Sequence, residues 1–235
     1  MKQRMRFTKL GKVRFLSHRD IARVWERALR RSGVRAAYSE GFSPRPRLSF
    51  GLALSTGYES LGEYLDIDLA EDVSPDDLPA IVTPSLPRGM EAQLAITIPP
   101  GTDSLQQAVT SSTWQIALPH VPADALAAAV ARALALDELP ITIERKGAET
   151  TLDARPAILA LAPHDQGLEA ELATQPRSLR PAELLRALDP SWVAGHVLRT
   201  HHWTSVDGAR CEPIPLGDLG ARGATSTPHA EARAS

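Results

Sequence analysis

Apolar and polar positions change period several times along the chain, and each change predicts an element. Tyr64-Leu65-Asp66-Ile67-Asp68-Leu69 alternates strictly. That places Leu65, Ile67 and Leu69 on the buried face of a strand and Tyr64, Asp66 and Asp68 on a wet one. Between residues 17 and 33 the period lengthens. Ile21, Val24, Trp25 and Leu29 recur at the spacing of one buried helix stripe. Ser17 followed by Asp20 has the form of a capping box, and Gly33 supplies the stop. Apolar runs at 5–8, 34–38 and 90–98 predict further strands, and 48–54 a strand or hairpin arm. Ser74-Pro75-Asp76-Asp77 opens a second helix, reaching residue 82, with cap, proline and first-turn acids in the expected order.

The resulting order over residues 1–100 is β-α-β-β-α-β, the ferredoxin-like arrangement, in which two helices cover one sheet face and leave the other free. Pro99-Pro100-Gly101 interrupts the chain, and a similar order restarts. It comprises a strand at 114–118, an alanine-rich helix at 123–136, strands at 141–145, 158–161 and 168–172, a helix at 180–188 opened by Pro181, and a strand at 197–203. The expected fold is α+β, with two ferredoxin-like halves, 1–100 and 109–205, packed side by side. No residue-level repeat links the halves, so the duplication rests on element order. Residues 217–235, rich in Gly, Ala, Ser and Thr without apolar periodicity, read as a disordered tail.

Charge changes the picture. Fourteen of the 26 Lys and Arg residues lie in the first 50 positions, opposed there only by Asp20, Glu26 and Glu40, a local net charge of +11. The remainder carries 12 basic and 25 acidic residues, a net charge of −13. The overall −2 therefore conceals a basic front and an acidic back, a field that favours a polyanionic partner, foremost nucleic acid. A single cysteine, Cys211, allows no internal disulfide and no cysteine-built metal or iron–sulfur site within the chain. No apolar stretch approaches the length of a membrane span, and the N-terminus has no apolar run of the signal-peptide kind. The expectation is a cytoplasmic protein with no membrane association, no metal and no cofactor of its own.

The candidate binding residues follow from helical spacing. Arg19, Arg23, Arg27, Arg30 and Arg31 wind into one stripe opposite the Ile21/Val24/Trp25/Leu29 face, interrupted by Glu26, and can track a phosphate backbone. Arg45 and Arg47 flank Pro46 in a proline-stiffened loop where Phe42 either stacks on a base or fills the core. Weaker candidates for acid–base chemistry are His18, at the first helical turn, and the paired carboxylates Asp66 and Asp68. His196, His201 and His202 form no recognised ligand pattern, and no Walker loop, GxGxxG, GxSxG or HExxH occurs.

Three runs carry a resemblance: Arg14-Phe15-Leu16-Ser17-His18-Arg19-Asp20, Arg27-Ala28-Leu29-Arg30-Arg31-Ser32-Gly33 and Tyr38-Ser39-Glu40-Gly41-Phe42-Ser43-Pro44-Arg45-Pro46. With Glu63-Tyr64-Leu65-Asp66, Leu86-Pro87-Arg88-Gly89, Asp153-Ala154-Arg155-Pro156 and Arg180-Pro181-Ala182-Glu183-Leu184-Leu185, they resemble the radical-SAM-associated, or radical-SAM-linked, bacterial domain family of unknown function. The likeness spans roughly residues 3–205. It implies a domain either fused behind a cobalamin-binding radical-SAM enzyme or free-standing, and encoded near such an enzyme and an E/G-type ribonuclease. The CxxxCxxC run of a radical-SAM cluster is missing, so that chemistry would belong to a partner. The expected function is an RNA-binding or adaptor module for tRNA or rRNA, working with a radical-SAM enzyme or an E/G-type ribonuclease and without a reaction of its own. The alternatives are an RNA-processing or RNA-modifying enzyme using His18 with Asp66 or Asp68, and a protein-only scaffold for a radical-SAM partner.

Overall fold

The computed structural model describes residues 1–145 and 147–214, so the tail expected at 217–235 lies outside the described residues. In chain order the elements are β1 (Lys2–Lys9), α1 (His18–Ser32), β2 (Leu48–Phe50), β3 (Glu59–Asp68), α2 (Leu78–Val82), β4 (Ala92–Thr97), α3 (Leu105–Ala108), β5 (Val109–Ala117), α4 (Ala123–Ala135), β6 (Pro140–Arg145), β7 (Ala148–Asp153), β8 (Ile158–His164), β9 (Gly167–Ala173), α5 (Pro181–Leu188), β10 (Val197–Val206) and β11 (Ala209–Cys211). The fold is α+β, built on one large mixed sheet in the order β4-β1-β3-β10-β5-β9-β8, with β2 added to β3 and β11 to β10. Its pairings are antiparallel except where the start of β10 meets the start of β3 in parallel, Leu198 opposite Glu59 and Arg199 opposite Ser60. This short junction makes the strands of residues 1–100 and 109–205 continuous.

Two apolar cores line the sheet. Met5 and Phe7 of β1, Leu65 and Ile67 of β3 and Ala95 of β4 pack on Ile21, Trp25, Ala28 and Leu29 of α1 and on Leu78 and Val82 of α2. Trp114 and Ile116 of β5, with Leu161 of β8 and Leu168, Ala170 and Leu172 of β9, pack on Leu126, Val130 and Ala133 of α4 and on Leu184, Leu185 and Leu188 of α5. Helices at both places follow from the apolar spacing of their sequences.

Three expectations need correction. The segment 34–38 forms no strand; it makes only isolated bridges, Ala36 to Leu69 and Tyr38 to Pro46. Pro44 and Pro46 on the returning side lack the N–H groups that a ladder requires. A second arm, β7, pairs with β6 as a two-stranded ribbon off the main sheet. The third correction concerns β3. The face of Tyr64 and Asp66 is not wet, since the two residues are 2% and 1% exposed. Leu105 of α3 and Ile214, beyond β11, join Tyr64 and Leu94 in a third apolar cluster over that face.

Burial of that face forces its charges to pair. Arg4 of β1 grips Asp66 through two bonds, Nε to Oδ1 at 2.8 Å and Nη2 to Oδ2 at 3.0 Å. Arg6 donates through Nη1 to Gln93 Oε1 and lies 4.0 Å from Glu212. Gly62 leaves the space that Arg6 fills, because a Cβ there would stand 2.9 Å from Nη2. His202 of β10 is sealed, its Nδ1 lying 3.0 Å from Ser112 Oγ. Burial, and then the nearby Arg199 and Arg6, hold its pKa well below the usual histidine value.

The folded chain thus keeps the imidazole of His202 neutral, whereas an unfolded chain protonates it near pH ~6.5. Stability is therefore full above that pH and falls as pH drops below it. Between pH 7.5 and 5.5 the wild type is expected to lose about 1 kcal/mol more than His202→Gln, read from urea midpoints at the two pH values.

A candidate nucleic-acid interface

The local sequence fixes helix α1 at both ends. Ser17 Oγ accepts the Asp20 N–H at 3.2 Å, and Asp20 Oδ2 accepts the Ser17 N–H at 3.3 Å and its hydroxyl at 2.6 Å. The hydroxyl bond leads in holding the Asp20 carboxyl below its ordinary value, and so keeps an acid at the positive helix end. Gly33 ends the helix at φ +79°, a left-handed conformation that suits glycine. Trp25 is fully buried, edge-on to Phe7 with centroids 5.0 Å apart. With Ile21, Ala28 and Leu29 it turns the opposite side of α1 outward.

Arg19, Arg23, Arg27, Arg30 and Arg31 all stand exposed on that outward side. At 3.6 residues per turn they occupy about a third of the circumference, over about 18 Å of axis. Arg23 reaches Asp20 at 3.5 Å, and Arg27 Nε donates to the Arg23 carbonyl. Among the described residues, Arg19, Arg27, Arg30 and Arg31 have no acid within 4.0 Å.

The chain leaving Gly33 enters a stiff arm. Ala37 donates to the Asp68 carbonyl at 2.6 Å, Arg47 to the Ala37 carbonyl at 2.8 Å, and Ser39 to the Arg45 carbonyl at 2.8 Å. At its tip, after Gly41 at φ +119°, Phe42 is fully exposed, which excludes the core-filling reading. Arg45 is exposed and has no acid partner among the described residues; Arg47 is exposed 4.0 Å from Asp68.

Not all of the N-terminal charge reaches this surface. Arg4, Arg6 and Lys9 are buried. Lys2, Arg14 and Arg35 are taken by Asp68, Glu59 and Glu71. What remains is concentrated on α1 and the arm.

The acid–base candidates do not converge. His18 is exposed at the start of α1, edge-on to Phe50 with centroids 5.3 Å apart. Asp66 points away from α1, because its neighbours Leu65 and Ile67 face the helix and successive strand residues alternate. Asp68 lies between Lys2 and Arg47. The carboxylate that does share a small pocket with His18 is Glu63, together with Lys9. Glu63 Oε1 accepts from Arg199 at 3.1 and 2.5 Å, a partnership across 136 residues that no local pattern announces. Lys9 donates to the Leu16 carbonyl, and burial lowers its pKa.

Of the remaining histidines, His196 binds Glu59 at 2.7 Å, His201 stacks on Trp203, and His202 is sealed. The described residues contain no cluster of three or more metal-ligating side chains. Nor do they contain a helix long and apolar enough to cross a membrane.

No curated protein matches the chain. One family does, described as an uncharacterized protein conserved in bacteria (DUF2344), and it spans β1 through the first residue of α5. That match takes in α1 and the arm, and with residues 2–181 covered the chain belongs to this bacterial family.

Proposed function

We propose that this protein is an RNA-binding or adaptor module that holds tRNA or rRNA and works in the cytoplasm with a radical-SAM enzyme or an E/G-type ribonuclease. The observation that carries the reading is the outward face of α1. Five arginines line one exposed helix face, four of them without an acid partner among the described residues, and the chain runs on from that helix into an arm that ends in an exposed phenylalanine. Guanidinium groups in that arrangement suit successive phosphates, and an exposed ring suits a base. The partner enzymes come from the family resemblance, which also supports a role without chemistry of its own. The antiparallel strand orders β4-β1-β3-β2 and β10-β5-β9-β8 support reading residues 1–100 and 109–205 as two ferredoxin-like halves sharing one sheet.

Titration of fluorescent tRNA across a salt series tests the RNA reading. Affinity is expected to fall with a log–log slope of about −0.7 to −0.9 for each phosphate neutralised. Arg45→Ala with Arg47→Ala is expected to flatten that slope by about 1.5 and to weaken binding about a hundredfold, near tenfold for each lost contact. Binding indifferent to salt, or unchanged in the double variant, would remove the reading.

A further inference from the structure

A second feature lies at the junction of the strand sets and depends on neither RNA nor the arm. Where β10 and β3 meet in parallel, a cavity of about 190 Å³ opens between the 52–55 segment and the start of α5. That is far more than the ~10–15 Å³ one water needs. Arg199, 1% exposed, lines it. Its Nε and one bond from Nη2 go to Glu63, and a second bond from Nη2 goes to the Leu52 carbonyl. Nη1 has no hydrogen-bond partner among the described residues, yet it is not one of the sealed unpaired atoms, so it faces the opening.

A guanidinium buried to this degree and left with an unused donor is a costly arrangement unless something accepts from it. The other groups around the opening share its character. Arg180 is exposed at the mouth with no acid on its guanidinium, and the hydroxyls of Ser55 and Ser178 have no partner, all among the described residues. The indole of Trp114 forms an apolar wall, its centroid 5.1 Å from the Arg199 guanidinium. Arg180 and Arg199 are the charged residues among the described lining, and Glu63, which pairs with Arg199, is the one acid on either guanidinium, leaving an excess of positive charge.

We infer that this cavity binds a phosphate monoester. Two guanidinium groups and two hydroxyls surround the space for a small multivalent oxyanion. Trp114 and Leu52 accept the less polar part of whatever carries it. A free nucleotide and the terminal phosphate of an RNA present the same group.

The test is calorimetric titration of the full chain, in chloride buffer at constant ionic strength, with inorganic phosphate, AMP and adenosine. Phosphate and AMP are expected to saturate one site per chain and adenosine none. Arg180→Ala is expected to weaken both at least tenfold, through loss of a charge-assisted bond. Ser178→Trp is expected to block the mouth and abolish binding. Both residues are exposed, and melting curves without ligand verify that each variant folds. If Arg180→Ala fails that check, Ser178→Trp carries the test.

Competition by a 5′-phosphorylated short RNA, but not by its 5′-hydroxyl counterpart, assigns the group to an RNA end. Saturation by AMP without such competition assigns it to a free nucleotide. The inference is overturned if phosphate gives no saturable heat up to about 10 mM, or if the folded variants bind as tightly as the wild type.

Discussion

Asp66→Ala is expected to cost about 3–5 kcal/mol of folding stability, lowering the melting temperature by about 10 °C. The size comes from what is left behind. Arg4 is 5% exposed and spends Nε and Nη2 on the two Asp66 oxygens; its further contact, to the Asp103 carbonyl, is a longer 3.3 Å. Without the carboxylate, a buried guanidinium is left with no counter-ion. The penalty is therefore the desolvation of that cation rather than the worth of the pair itself. The double variant Arg4→Met/Asp66→Leu removes both charges, keeps comparable volume, and is expected to recover most of the loss. Thermal unfolding of the two variants followed by circular dichroism separates these cases. A loss below about 1 kcal/mol in Asp66→Ala would mean that water reaches Arg4.

The same pair shows where the sequence was legible and where it was not. Strict alternation over residues 64–69 announced the strand, and β3 runs through it. Periodicity also implied that the Asp66 side faced water. The groups that dry that face are Leu105 and Ile214, about 40 and 150 residues further along the chain, and no local pattern reports contacts of that separation. Helix α1 was readable to the residue at both caps, because a capping box and a left-handed glycine are local chemistry.

The basic stripe was readable for the same reason, since helical geometry alone dictates which side chains share a face. The count of N-terminal cations was less informative. Sequence proximity placed Arg4, Arg6 and Lys9 in the basic front, and the sheet turned all three inward. The junction of Glu63, Lys9 and Arg199 escaped notice because it joins β1, β3 and β10, whose pairing depends on the complete sheet.

The outward face of α1 yields the largest expected effect on binding. Substituting Arg19, Arg23 and Arg27 together by glutamate is expected to weaken tRNA binding about a thousandfold, near tenfold for each lost phosphate contact. The salt slope should flatten by about 2. These three sites separate binding from folding. Each side chain is exposed, and all lie in the first two-thirds of the helix, with Arg19 in its first turn, where a negative charge suits the positive end. The four-residue spacing keeps like charges as neighbours before and after the change, so the repulsion within the helix is about the same. At Arg23 the attraction to Asp20 becomes a like-charge repulsion, in a half-exposed pair where either is of small worth. The variant should therefore melt within a few degrees of the wild type while losing RNA. Lost binding with retained melting would place the phosphate-tracking surface on α1. Retained binding in a folded variant would show that α1 is only a solvated helix face and would leave the charge asymmetry without an RNA ligand.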